Sequence, residues 1–458
     1  MSTDTIAAIS TGLTNSGISI VRISGKNSLD IIGKIFSNAD KLMPNSIIYG
    51  NIINKNVVID NVLVSYFKAP KSFTGEDIIE INCHGGVEIT KQILELVLES
   101  GARLAEAGEF SKRAFLNGKM DLTKAEAIID MINAKNTVDT KIFAKHLNGE
   151  LAKKIREIRE DLIYLLAHIS VSIDYPEYDY EEVENKNVVE TVNNILSKIT
   201  ELLFTYEQGR YIKNGVKVAI LGKPNVGKSS LLNKLSKEDK AIVTDIPGTT
   251  RDIIEETINI GNLTLNIIDT AGIRDTEDVI EKIGVEKSIK IIDEADLIIY
   301  MLSIENKLDE YDLEIISKIK NKGVKFITLI NKTDKDTKNV LNEFMDKLSK
   351  NDFENIIPIS VEKDLGIEKL ISCIEELFNK NHLDYNTELI ITNERHKDLL
   401  KKSCEMLEKT KEEINKNMPI DIISIYIKNA TKYLEEIIGE DVTADVTKKI
   451  FEKFCIGK

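Results

Sequence analysis

The segment that most constrains this chain is Gly222-Lys223-Pro224-Asn225-Val226-Gly227-Lys228-Ser229. It follows an apolar run, Val216 to Leu221, and precedes a helical pattern predicted to start near Ser230. The octapeptide fits G-x-x-x-x-G-K-[ST] in the strand, loop, helix context that gives the motif its meaning. Its glycines let backbone N–H groups close around phosphate oxygens, Lys228 reaches the terminal phosphates, and the Ser229 hydroxyl can ligate Mg²⁺. Further apolar runs, Leu263 to Ile268, Leu297 to Leu302, Lys325 to Ile330 and Ile356 to Ile359, alternate with helical patterns between about 214 and 378. That alternation predicts a mostly parallel, doubly wound α/β sheet.

Two more motifs fall at the ends of these strands. Asp269-Thr270-Ala271-Gly272 offers an acid that can hold Mg²⁺ through water and a glycine N–H that can sense a γ-phosphate. Asn331-Lys332-Thr333-Asp334 ends a third strand. Its Asp can accept from guanine N1–H and the 2-amino group, which adenine cannot offer, so the expected nucleotide is GTP. Ser360 after a fourth strand is expected on the base side. The segment Thr244-Asp245-Ile246-Pro247-Gly248-Thr249-Thr250-Arg251-Asp252 falls where a switch loop should lie, with Thr250 as a second Mg²⁺ hydroxyl. Ras-like enzymes place a water-orienting Gln after the DxxG glycine, but here that position is Ile273, so hydrolysis must be arranged differently. The residues left to do it are Arg251, Arg274, Asp275, Glu277, Asp278 and Glu281.

The chain has 458 residues, enough for about three domains at roughly 150 residues each. Residues 1–118 alternate β-rich runs (Ile18 to Ile23, Val57 to Ile59, Val62 to Phe67, Ile78 to Ile81) with helical patterns such as Thr90 to Leu98, and read as an α+β domain. Helical periodicity follows over 119–213, where Leu151, Ile155, Ile158, Leu162, Leu165 and Ile169 form one apolar seam. It returns over 379–458, where Ile423, Ile427, Ala430, Leu434 and Ile437 form another. Each seam alone would leave an apolar stripe in water, so one helical domain built from both flanks is expected, with the sheet domain inserted into it.

Charge narrows the function. Residues 1–120 hold 12 Lys or Arg and 12 Asp or Glu, so the remainder carries the whole net charge of −14. Bulk charge cannot draw such a chain to nucleic acid, and a local patch or a partner must do so. No run approaches the ~18 apolar residues of a spanning helix. The start, MSTDTIAAISTGLT, shows no secretory pattern, so a cytoplasmic, membrane-free protein is expected. Cys83, Cys373, Cys404 and Cys455 stand apart, with no C-x-x-C, so neither a disulfide framework nor a zinc site is predicted, even with His84 beside Cys83. His146 and His168 read as core or surface residues. A prenylation box at Cys455 is rejected, because Gly457 and Lys458 suit its last positions poorly and no polybasic run adjoins it.

TDIPGTTRD, DTAGIRDTEDVIEKIG, FTGEDIIEINCHGG at 73–86, GEFSKRAFLNGKMDLTKAEA at 108–127 and the final Phe454-Cys455-Ile456-Gly457-Lys458 together resemble the tRNA modification GTPase family MnmE, also called TrmE. Thr5-Ile6-Ala7-Ala8 and Gly17 to Gly25 extend the likeness to nearly the full chain. The resemblance implies that Asn225, Val226, Gly227, Lys228, Ser229 and Ser230, with Thr244 to Thr250, Asp269 to Gly272, Asn331, Lys332, Asp334 and Ser360, bind GTP and Mg²⁺. It implies K⁺ on Asn225, the backbone oxygens of Thr244 and Ile246, and the Thr249 hydroxyl. Pro247 stands where the family often has alanine, and it keeps the carbonyl before it. Glu281, twelve residues after Asp269, would orient the attacking water beside Lys228.

The resemblance also implies a site for 5-formyltetrahydrofolate or a related one-carbon tetrahydrofolate on Arg22, Glu80 and Lys119 with the tail residue Lys458, and Cys455 as a tail thiol nearby with a candidate catalytic role. The implied partners are a second copy of the chain, the FAD-dependent protein MnmG (GidA) in a heterotetramer, and tRNA, whose wobble uridine is modified at C5. The alternative weighed against it is a ribosome-assembly GTPase. Such proteins usually append an RNA-binding module with a G-x-x-G clamp. After residue 380 the only glycines are Gly439 and Gly457, which cannot form one.

Overall fold

The N-terminal part folds into β1 (Ile6–Ile9), β2 (Ser16–Ser24), β3 (Ser46–Asn54), β4 (Val57–Phe67), β5 (Ile78–Gly85) and β6 (Arg103–Leu104). In this computed structural model, which describes residues 4–174, 185–238, 254–261, 263–268, 291–336, 340–378, 388–454 and 456–457, they pair in the order β3-β4-β5-β2-β1-β6. Every neighbouring pair is antiparallel except β1 with β6. The sequence runs singled out above fall in β2, β4 and β5, and β1, β3 and β6 complete the sheet. Helices Ser28–Ile35 and Val87–Glu99 bury Ile31, Ile32, Ile93 and Val97 against Val21, Ile23, Val64, Ile79 and Ile81.

Both helical seams are buried along their length. The helix Glu150–Asp174 packs on the helix Ile420–Ile438, and Arg159 Nε donates to Glu435 Oε1 at 2.8 Å across the contact. The latter helix ends at Gly439, whose φ of 88° and close approach to the Phe115 ring both exclude a side chain. The last helix, Ala444–Phe451, starts at Thr443, whose hydroxyl accepts from Val446 N, and sets Phe451 and Phe454 against Leu122 and Ala125. These parts form one unit made of 1–132, 143–198 and 399–458. The second unit, 133–142 with 199–398, comes between them along the chain, so the fold is multidomain and the helical part is discontinuous in sequence.

In the second unit β7 (Val216–Leu221), β8 (Ile254–Ile260), β9 (Leu263–Ile268), β10 (Leu297–Ser303), β11 (Lys325–Asn331) and β12 (Ile356–Pro358) run in the order β12-β11-β10-β7-β9-β8. All pairs are parallel except β8 with β9. β8 adds a sixth strand to the five legible from apolar runs, because its buried Ile258 and Ile260 alternate with Thr257 and Asn259 rather than forming a continuous run. β10 shows why the other strands read so plainly. Leu297, Ile299 and Met301 enter the core on one face, and Ile298, Tyr300 and Leu302 enter the core on the other.

Candidate functional site

β7 delivers its last residue into a loop held in conformations that few side chains tolerate. Gly222 has φ 145° and lies so close to Met301 O that an added Cβ would sit 2.3 Å away. Asn225 has φ 61° and Gly227 φ 105°, and a Cβ on Gly227 would meet Asn331 Nδ2 at 2.3 Å. The helix Lys228–Glu238 then begins at Lys228, two residues earlier than the expected Ser230, so Lys228 occupies its first turn. There the backbone N–H groups lack helical acceptors and face an incoming anion. Lys228 Nζ donates to Gly222 O at 2.7 Å and Lys223 O at 2.8 Å. Burial of this ammonium lowers its pKa, and a phosphate group beside it would favour the charged form.

At the other end of the site, Asn331 closes β11 and ties loops together. Its Nδ2 donates to Val226 O at 2.8 Å, and its Oδ1 accepts from Val361 N at 3.2 Å. Lys332 adopts φ 62°, which turns the chain into the short 3₁₀ turn Thr333–Lys335 that carries Asp334. The Ser360 hydroxyl donates to Asp334 Oδ1, and that bond above all holds the exposed carboxylate below its usual pKa. An ionised, oriented carboxylate at this place can accept two hydrogens from a base edge. Lys332 Nζ pairs with Glu305 Oε2 at 2.8 Å. Between the two ends lies a cleft of about 490 Å³ that reaches from Lys228, Ser229 and Ser230 to Asp334 and Ser360. Of the other expected positions, Thr244 to Thr250, Asp269 to Gly272 and Glu281 lie outside the described residues.

A second cluster occupies the N-terminal sheet. Arg22 on β2 and Glu80 on β5 are direct cross-strand partners, and Arg22 Nε donates to Glu80 Oε1 at 2.9 Å with both side chains mostly buried. The guanidinium lies 5.7 Å from the ring centroids of both Phe73 and Phe110. Gly457 O, next to the end of the chain, accepts from Arg22 Nη1 at 3.3 Å and from Ser10 Oγ at 3.1 Å. A Cβ on Gly457 would meet Ile9 O at 2.2 Å, so the tail rests directly on β1. Lys119 is tied to the loop that carries Phe73, with its Nζ donating to Pro70 O at 2.8 Å. Glu76 fastens the same loop, accepting from Ser24 Oγ at 2.7 Å and from the buried Arg113. Cys455 and Lys458 lie outside the described residues.

Sequence reasoning did not single out Ser10, Phe110, Glu76 and Arg113, whose contacts with Gly457, Arg22, Ser24 and Asp4 reach far along the chain. His84 pairs with Asp60, its Nδ1 2.6 Å from Asp60 Oδ1, and not with the neighbouring Cys83. The Cys83 thiol is buried, which raises its pKa. Among the described residues no helix is long and apolar enough to cross a membrane.

Comparison with known proteins reaches nearly the whole chain. The family model described as MnmE helical domain matches residues 122–455, and that described as GTP-binding protein TrmE N-terminus matches residues 5–119. A tRNA modification GTPase MnmE from Acetivibrio thermocellus is 49% identical, with 99% of each chain covered. A protein of the same description from Clostridioides difficile is 46% identical, again over 99% of each. Among solved structures, the GTPase Era of Aquifex aeolicus bound to GDP and AlF4⁻ is 31% identical over 42% of this chain and 66% of its own, with a TM-score of 0.29.

Proposed function

The chain belongs to the MnmE family of tRNA modification GTPases, and from that premise we propose that it couples K⁺-dependent GTP hydrolysis to a folate-dependent modification of the wobble uridine. The carbonyl of Gly457 carries this reading, because it brings the C-terminal tail to the Arg22–Glu80 pair. A ribosome-assembly switch would have no use for such a cluster.

In the nucleotide site the chain's own groups divide the labour. Lys228 binds the terminal phosphates, the loop's N–H groups orient them, and Asp334 with Ser360 selects guanine. Mg²⁺ would be held by Ser229 with Thr250 and Asp269, and K⁺ by Asn225 with the Thr244 to Thr249 segment. Together these cations supply neutralisation of the charge that develops on the phosphates. Glu281 orients the attacking water, a task for which Ile273 has no polar atom.

In the N-terminal domain, Glu80 can accept from pterin N–H groups, and Arg22 can pair with an anionic oxygen while stacking on Phe73 and Phe110. Lys119 and Lys458 suit the glutamate end of a 5-formyltetrahydrofolate. Cys455 is the tail thiol, with a candidate catalytic role in this reading. The protein acts as a cytoplasmic homodimer with an FAD-dependent MnmG partner, and tRNA is the substrate.

The deciding experiment removes Cys455 to Lys458 and assays two activities. tRNA modification is expected to fall to background, while K⁺-stimulated GTP hydrolysis stays within a few-fold of the intact protein. Retained modification would take the tail out of the chemistry.

A further inference from the structure

Lys223, the second residue of the phosphate loop, does more than fill a variable position in the motif. Its Nζ donates to Asp309 Oδ2 at 2.6 Å and Asp312 Oδ2 at 2.7 Å. Asp309 is the N-cap of the helix Glu310–Lys322, and Asp312 is its third residue, the two closing a reciprocal capping box. Asp312 is fully buried, and its other oxygen accepts from the fully buried Tyr300 hydroxyl at 2.7 Å. Burial opposes the charge on Lys223, but the two carboxylates outweigh it and hold the ammonium above its usual pKa. On the other side, the backbone carbonyl of this same Lys223 accepts from Lys228 Nζ at 2.8 Å.

These contacts form one continuous relay, Tyr300 to Asp312 to Lys223 to Lys228. A buried carboxylate left without its cation is costly, so Asp312 has a strong stake in where Lys223 sits. The side chain of Lys223 is thereby fixed at its tip, and the loop backbone to which it belongs is fixed with it. That backbone is the seat of the Lys228 ammonium. We propose that Lys223, held by Asp312 and Asp309, is a positioning residue of the nucleotide site, locking the phosphate loop in its binding shape and so slowing nucleotide escape. A further consequence is that the start of the helix Glu310–Lys322, which contributes no group to the cleft, sets nucleotide residence time.

The test uses the full chain and a fluorescent GDP analogue, with dissociation followed by stopped flow. Lys223→Met is expected to speed dissociation about tenfold, while Lys223→Arg, which keeps the cation, stays within about threefold of the intact protein. Asp312→Asn should match Lys223→Met, and the double variant should be no faster than the faster single one, the signature of a shared relay. Lys223 is partly exposed, so Lys223→Met decides the matter even if Asp312→Asn fails to fold. Dissociation within twofold of the intact protein in folded Lys223→Met would overturn the proposal, as would failure of arginine to restore it. If the intact chain itself bound no GDP, the nucleotide-site reading would fall along with it.

Discussion

The two sheets of this protein have the same number of strands and opposite habits. In the second unit, strands run mostly parallel and the site collects at their C-terminal ends, where loops from β7 and β11 and the segment that follows β12 converge. Its contacts are largely between one side chain and a backbone, as with Lys228 on two carbonyls and Asn331 on Val226 and Val361. In the N-terminal sheet, strands run mostly antiparallel and the cluster lies across them, built from side chains whose partners are 58 residues away, as for Arg22 and Glu80, or 435, as for Arg22 and Gly457. A site made of loops is carried by contiguous motifs. One made across strands is carried by register.

That contrast can be attacked directly, and the largest expected effect is at Gly227. With φ at 105° and no room beside Asn331, Gly227→Ala must displace the loop, and GDP affinity is expected to fall by about 100-fold or more. Fluorescence titration with GDP and calorimetry with formyl-tetrahydrofolate, run on the same variant, should show the first lost and the second kept. If both fall, the two sites are not separable in the way the contrast requires.

Arg22→Ala is the converse. A charge-assisted hydrogen bond is worth about 1.5–3 kcal/mol, so folate affinity should fall about 10- to 100-fold. GDP binding should not change beyond twofold. Unchanged folate affinity would remove Arg22 from folate binding.

The smallest effect is expected at Ser360. Ser360→Ala frees Asp334 from the bond that keeps its pKa low, and GDP affinity is expected to fall only a few-fold. The carboxylate must be ionised to accept from guanine, so its depressed pKa preserves binding as pH falls. In the variant that pKa rises, and the acid limb of the affinity profile should move to higher pH. An unshifted limb would mean that Ser360 contributes only shape.

The same contrast explains what could be read in advance. Gly222 to Ser229, Asn331 to Asp334 and Ser360 announce themselves because each needs a fixed residue type at a fixed spacing. The helical seams were equally plain, since Leu151 to Ile169 and Ile423 to Ile437 repeat with the helix period and all are buried. β8 escaped because its half-polar alternation lies outside the continuous runs that mark doubly buried strands. Arg22, Glu80 and Lys119 have no local pattern at all, and only likeness to a family picked them out. Glu76, Phe110 and Arg113 lie within the family-like segments but were not singled out, and Ser10 gave no signal, because nothing in the amino-acid order says that Gly457 returns to β1. Lys223 was hidden by the opposite cause. It stands inside the most legible motif of the chain, at a place the motif leaves unspecified.

The double duty of Asn331 limits how this protein can be altered or can drift. One amide gives its hydrogens to the phosphate loop and its oxygen to the segment after Ser360, a combination that Asp cannot copy for want of a donor and that Gln cannot copy without an added methylene. Anyone seeking to retool the protein for a different purine would therefore do well to work at Asp334 and leave its neighbour alone. A change at Asn331 would therefore loosen the phosphate loop and the segment after Ser360 in the same stroke.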